Sequence, residues 1–200
     1  MPLRLTASLL LVLNLHVSFA QNPDINLLRS INLNRNASLD KSFNFVTNTA
    51  APVSFGVPAT LWIIGVTSHN DQLVQQGVVS GSAAVLSLAV SYLAKYTIQR
   101  KRPYETYPDI QAFSTDKTPS FPSNHTSVAF ASATYFSLTY PKWYVIVPSY
   151  TWASAVGYSR LHLGEHYPSD VLAGALIGAG SAFLCYKLNK WIVKQYHHIL

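Results

Sequence analysis

Five apolar stretches carry most of the hydrophobic residues, near 45–66, 78–98, 126–140, 143–158 and 171–186. All are rich in Ala, Ser, Gly, Val and Leu, no strand-type alternation recurs, and no internal repeat is visible. The second has the length to cross a bilayer; the last three are shorter than the roughly 20 residues a spanning helix needs. Pro52, Pro58 and Pro148 fall inside stretches and predict kinks or interruptions. Ahead of them, residues 24–36 alternate apolar and polar positions at roughly helical spacing, which predicts a short amphipathic segment packed on the body.

The first 20 residues read as a signal peptide: Arg4 is the basic start, 7–17 a short apolar core, and Ser18-Phe19-Ala20 a small-residue cleavage site. The competing reading is an uncleaved anchor, but the strongly apolar run at 9–13 is too short to span comfortably. Residues 21–200 then form one domain, long enough to bury a sizeable core. Removal of Arg4 lowers the net charge from +6 to +5.

That basic balance does not point to nucleic acid. Much of the excess sits at 95–102 and in Lys187, Lys190 and Lys194, with no aromatic-interleaved stripe and no DNA-binding motif. The lone cysteine, Cys185, can form neither an internal disulfide nor a cysteine-based metal site and reads as a buried, inert thiol.

A membrane bundle and a tight soluble core remain as alternatives. Gly174, Ala175, Gly178, Ala179, Gly180 and Ser181 permit close helix approach in either setting, and a mean hydropathy of +0.17 is low for a polytopic membrane protein. Chain order favours the membrane. If the stretches cross in turn, residues 95–102, 123–125 and 159–170 share one face. The opposite face receives a 68–76 loop, the Pro141-Lys142 turn and the lysine tail, which the positive-inside rule places in the cytoplasm.

Charged residues are only 11% of the chain, so their clustering is informative. Three blocks hold the chemistry: Lys95-x6-Arg102-Pro103, Pro122-Ser123-Asn124-His125, and Ser159-Arg160-x5-His166-x3-Asp170. Three cations, two imidazoles and a carboxylate suit the transfer of a phosphoryl group. The cations can neutralise its equatorial oxygens. One histidine can attack phosphorus, the other can protonate the leaving oxygen, and the carboxylate can orient the first. Bland readings exist for each block: a stop-transfer charge run, a helix N-cap at Ser123, and an N-cap at Asp170. Arg100 and Lys101 read as surface charges that attract anionic headgroups.

Together the blocks resemble the tripartite signature of the type 2 phosphatidic acid phosphatase (PAP2) family, related to vanadium haloperoxidases and bacterial acid phosphatases. The family pattern is K-x6-RP, PSGH and SR-x5-H-x3-D, and Asn124 is the one departure, standing where the family has glycine. The resemblance implies an all-α helical bundle of about five membrane-spanning or membrane-embedded helices. It implies a phosphohydrolase without metal or other cofactor, with His166 as nucleophile, His125 as general acid and Asp170 as the group orienting His166. Lys95, Arg102, Ser123, Asn124 and Arg160 are the expected phosphate ligands. Asn124 keeps the backbone amide and tolerates left-handed backbone better than most residues.

The same block also spells His162-Leu163-Gly164-Glu165-His166, an inverted zinc-protease pattern. That chemistry needs a continuous helix, which Gly164 and Pro168 oppose, so His162 and Glu165 read as loop or rim residues. His69, His197 and His198 read as structural or surface groups. Asn124-His125-Thr126 is also a glycosylation sequon, and a glycan there would block the site, which favours a bacterial source. The expected function is removal of phosphate from a lipid phosphate or diphosphate through a phosphohistidine. The expected place is the bacterial inner membrane, with the site facing the periplasm. A soluble secreted acid phosphatase acting on water-soluble monoesters and a vanadate-dependent haloperoxidase are the alternatives. The substrate headgroup and oligomeric state are not fixed by these residues.

Overall fold

The long helices turn their apolar side chains outward and their small and hydroxyl side chains inward, the reverse of a water-soluble core. Trp62, Ile63, Ile64, Val85, Leu93, Leu172, Leu176, Leu188 and Trp191 are exposed, whereas Ser54, Ser87, Ser91, Thr126, Ser127 and Ser159 are fully buried. Water would penalise that arrangement by about 25 cal/mol for each Å² of apolar surface left exposed. A bilayer does not, and there the remaining task is to satisfy buried polar groups and pack closely.

The computed structural model describes residues 23–196. Within them the order is α1 (23–32), a 3-10 turn at Ala37–Leu39, α2 (Asp40–Asn48), α3 (Ala50–Thr67), α4 (Asp71–Ile98), a single turn α5 (Pro103–Thr106), α6 (Asn124–Thr139), α7 (Trp143–His162) and α8 (Pro168–Tyr196). The described residues form no strand, as an all-α bundle requires. The predicted signal peptide, His197 and His198 lie outside the described residues.

Among the described residues, three helical segments are long and apolar enough to cross a membrane: Ala37–Thr67, Asp71–Thr106 and Pro168–Gln195. The shorter α6 is the centre, packed by α3, α4, α7 and α8. Hydroxyls tie it in place. Ser91 Oγ donates to Ser127 Oγ (3.0 Å), Ser127 Oγ to Ser87 Oγ (3.1 Å) and Ser54 Oγ to the Val128 carbonyl (3.0 Å). The closest approach is α6 to α8, where a Cβ on Gly178 would stand 2.1 Å from the Ser127 carbonyl oxygen. Aromatic residues mark both ends of the bundle: Phe45, Tyr92, Tyr96 and Tyr158 at one, Trp62, Trp143, Tyr144 and Trp191 at the other.

Several boundaries differ from expectation for local reasons. The 45–66 stretch is interrupted at Thr49, because Pro52 has no N–H to donate to Asn48. Pro58 and Pro148 are carried inside α3 and α7. The 68–76 loop shrinks to three residues, since Asn70 Oδ1 caps the Leu73 amide (3.1 Å) and starts α4 early. The lysine tail is no tail but the last turns of α8, and Cys185 is only partly buried. The amphipathic segment does form α1, which buries Ile25 and Leu28 against Ile110 and Tyr167.

Candidate active site

The end of α4, the start of α6, the end of α7 and the start of α8 converge at one end of the bundle, so three blocks far apart in sequence become neighbours. A cavity of about 250 Å³ opens there. Lys95, Arg102, Asn124, His125, Arg160 and His166 line it together with Asp116 and Thr118, and Ala51, Phe55, Leu88, Tyr92 and Val128 complete the lining. Ser123 and Asp170 are fully buried and do not border it.

Each cation is held by the loop between α5 and α6 or by the turn before α8. The Lys95 ammonium donates to the Pro119 carbonyl and, at 3.3 Å, to that of Ser120. Arg102 spreads its guanidinium over the Thr118 carbonyl (2.9 Å), the Glu165 carbonyl (3.1 Å) and the Asp116 carboxylate (2.8 Å). Arg160 pairs with Glu165 and donates to Thr47 Oγ1 (3.1 Å). Its Nε is buried without a partner, as is Asn124 Oδ1. Orphaned polar atoms at this depth are costly, and both residues border the cavity: Arg160 Nε can donate to an anionic oxygen there, whereas Asn124 Oδ1 accepts only from a hydroxyl or other donor.

His166 lies in the turn between α7 and α8 and is almost wholly buried. Its Nδ1 is 3.4 Å from both Asp170 Oδ2 and Ser120 Oγ. The tighter contacts to that carboxylate oxygen come from Ser120 Oγ (2.5 Å) and the Tyr167 amide (3.0 Å). Burial pushes the His166 imidazole down to about 3, aided by Arg160 and Arg102 and opposed by Asp170. His166 is therefore a neutral base at ordinary pH. His125, in the first turn of α6, has no hydrogen bond from either ring nitrogen to a described residue and borders the same cavity. Ser123 holds the N-cap position of α6 without capping it. Its Oγ accepts from Thr126 Oγ1 (3.0 Å), and its amide donates to the Asp170 carbonyl (3.0 Å).

Three residues read from sequence as surface or rim groups are structural here. Arg100 is not a free surface charge: it bonds Asp170 Oδ1 (2.7 Å), Ser169 Oγ (2.6 Å) and Asp24 Oδ2 (2.8 Å), over the Tyr167 ring at 3.7 Å. His162 ends α7 buried against Asp40 (2.9 Å), and Glu165 is buried between Arg160 and Ser114. Gly164 separates them with φ of +69°, and a Cβ there would meet Asn32 Nδ2 and the Gln111 carbonyl at 2.8 Å. The zinc-protease helix is therefore absent. Among the described residues no three His, Cys, Asp or Glu side chains could converge on a metal. Ser120 and Asp116 were missed by the sequence reading. Ser120 lies beside a recognised block, whereas Asp116 has no spacing signal at all.

An all-helical bundle with an apolar exterior and a cavity lined by three cations and two imidazoles at one end defines the class: a helical membrane protein whose pocket suits an oxyanion. The PAP2 superfamily model matches residues 76–194, and the chain belongs to that family. It is 28% identical over 167 residues to an undecaprenyl-diphosphatase of Sulfolobus acidocaldarius, covering 83% of this chain and 78% of that one. A lipid A 1-phosphatase of Porphyromonas gingivalis is 40% identical over 101 residues, 49% of this chain but 19% of that longer protein. The crystal structure of a transmembrane PAP2-type phosphatidylglycerolphosphate phosphatase from Bacillus subtilis superposes with a TM-score of 0.71 at 24% identity, covering 92% of each chain, which establishes the shared fold.

Proposed function

We propose that this membrane phosphatase removes phosphate from a lipid phosphate or diphosphate through a phosphohistidine formed on His166. The observation that carries the reading is the mixed lining of the cavity. Lys95, Arg102, Arg160 and two imidazoles share it with Ala51, Phe55, Leu88, Tyr92 and Val128, within a bundle whose outer surface is apolar. A charged headgroup fits the polar part and the start of a hydrocarbon chain the apolar part. A soluble acid phosphatase has no need of the apolar part or of the apolar exterior. The relatives are phosphatases of lipid phosphates and diphosphates by name, which favours the same substrate class here over halide oxidation.

The chemistry follows from the proton positions. With its proton on Nδ1, toward Asp170 and Ser120, His166 has Nε2 free to attack phosphorus. The phosphorus–oxygen bond to the leaving group breaks as the phosphorus–nitrogen bond forms, and His125, protonated beside the substrate's negative charge, gives that proton to the departing oxygen. Neutral His125 then takes a proton from water as that water attacks phosphorus, which releases inorganic phosphate and restores both imidazoles. Lys95, Arg102 and Arg160 neutralise the equatorial oxygens throughout, the part a metal plays in other phosphatases. The Asp116 carboxylate on Arg102 yields to the incoming phosphate.

The orientation we favour places the cavity on the exported side and Lys187, Lys190 and Lys194 in the cytoplasm, by the positive-inside rule. The reading is tested by inorganic phosphate release from purified protein over lipid phosphates, lipid diphosphates and water-soluble monoesters, with EDTA present, against His166→Ala. Release from lipid substrates that survives EDTA and vanishes in the variant supports it. Preference for soluble monoesters, or turnover by folded His166→Ala, overturns it.

A further inference from the structure

The end of the bundle remote from the phosphate pocket holds a second cavity, and its chemistry has no part in the reaction above. It is about 460 Å³ and is bordered by Gln72, Gln75 and Gln76 of α4, Tyr135 and Thr139 of α6, and Tyr186, Asn189, Lys190, Val193 and Lys194 of α8. Gln76 and Lys95 are 19 residues apart on the uninterrupted α4, which is about 28 Å along its axis. That is close to the thickness of a hydrocarbon core, so the two cavities open at opposite membrane surfaces.

The lining is selective in its charge. Among the described residues, two ammonium groups and four carboxamides border the space and no carboxylate does; Asp71, in the first turn of α4, stands outside the lining. The wall is braced from behind, since Tyr140 donates to Gln76 Oε1 (2.7 Å) and Gln75 Nε2 to Asn189 Oδ1 (3.1 Å), bridging α4 and α8. The Lys190 ammonium lies 4.6 Å from the Tyr186 ring centre, at the cavity rather than extended away from the protein. One helical turn deeper than Thr139 and Lys190, Tyr135 and Tyr186 supply the apolar part of the lining. Cationic and amide donors at headgroup depth, next to apolar surface at acyl depth, match one kind of molecule.

We infer that this cavity binds the headgroup of an anionic phospholipid in the leaflet opposite the phosphate pocket. Lys190 and Lys194 neutralise the phosphate, the carboxamides of Gln72 and Asn189 bond the headgroup oxygens, and the acyl chains start against Tyr135 and Tyr186. The inference rests on the bilayer placement of the bundle and not on the hydrolytic reading, which phosphate release reports separately.

The test measures thermal unfolding of the full chain in neutral maltoside micelles with dioleoyl phosphatidylglycerol or dioleoyl phosphatidylcholine at equal mole fraction. At ten times its dissociation constant, a lipid bound here raises the midpoint by roughly 3–6 °C, and phosphatidylcholine does so less. Lys190→Gln combined with Lys194→Gln should remove most of the difference between the two lipids. Thr139→Trp, which fills the cavity and keeps both lysines, should do the same while phosphate release stays unchanged. If Thr139→Trp does not fold, Val193→Trp fills the space from α8. A folded, cavity-filled variant that keeps the whole difference overturns the inference, because the lysines then act as surface charge alone. Equal shifts from the two lipids overturn it too, as does an equal shift from soluble glycerol phosphate.

Discussion

Arg100 offers the sharpest test of how the site is held. Its guanidinium joins Asp170 Oδ1 at 2.7 Å to Asp24 Oδ2 at 2.8 Å, tying α1 to the first turn of α8. Arg100→Gln leaves Asp170, which is 0% exposed, with a carboxylate oxygen that has lost its cation. Removing one partner of a buried pair costs about 3–5 kcal/mol. The Arg100 side chain is 24% exposed, so water can reach part of the gap, and about 2–3 kcal/mol is the better figure. That corresponds to a fall of roughly 5–10 °C in the unfolding midpoint. Asp170 keeps Ser120 and the Tyr167 amide, so the nucleophile is loosened rather than lost. Forfeiting one charge-assisted hydrogen bond's worth of positioning, about 1.5 kcal/mol, slows turnover roughly tenfold. Thermal unfolding in detergent and initial rates of phosphate release measure the two effects, with Lys101→Gln as the exposed neighbour control. Arg100→Lys should recover part of both, since an ammonium can serve one carboxylate but not fork between two. If Arg100→Gln matches Lys101→Gln in both assays, the bridge has no role in the site.

Three further outcomes are expected. His125→Ala should slow turnover about 10²–10⁴-fold on an alkyl phosphate and much less on p-nitrophenyl phosphate, whose leaving group needs little protonation; equal losses on both substrates would remove His125 from the acid role. Because His166 is held near 3 in the folded protein and near 6.5 when unfolded, the unfolded state takes up the proton between those values. Acidification from pH 7 to 5 should therefore cost the wild type about 2 kcal/mol more than His166→Asn, and equal acid sensitivity of their unfolding midpoints would contradict a buried neutral imidazole. Gly178→Leu should separate α6 from α8, since even a Cβ there is 2.1 Å from the Ser127 carbonyl oxygen. The expected result is lost stability and lost phosphate release together, while Gly180→Leu, where a Cβ meets nothing within 4 Å, should be tolerated.

The sequence alone determined the helical character, the family and the cations and imidazoles that line the cavity, because each is carried by local signals. Apolar stretches lack two-residue alternation, and Lys95, Arg102, His125, Arg160 and His166 sit at fixed spacings beside them. Tertiary structure decided whatever depends on partners distant in sequence. Arg100 and Lys101 look alike in the chain, yet only Arg100 meets Asp24 and Asp170, 76 and 70 residues away. Asp116 reaches Arg102 across a loop with no pattern of its own. Ser123 sits where an N-cap belongs but turns its hydroxyl to Thr126. The membrane was ambiguous from mean hydropathy for the same reason, since that average counts buried serines and exposed leucines alike. Only the folded bundle shows that the serines face inward, where hydrogen bonds between helices satisfy them, and the leucines face outward, where only lipid accepts them without cost.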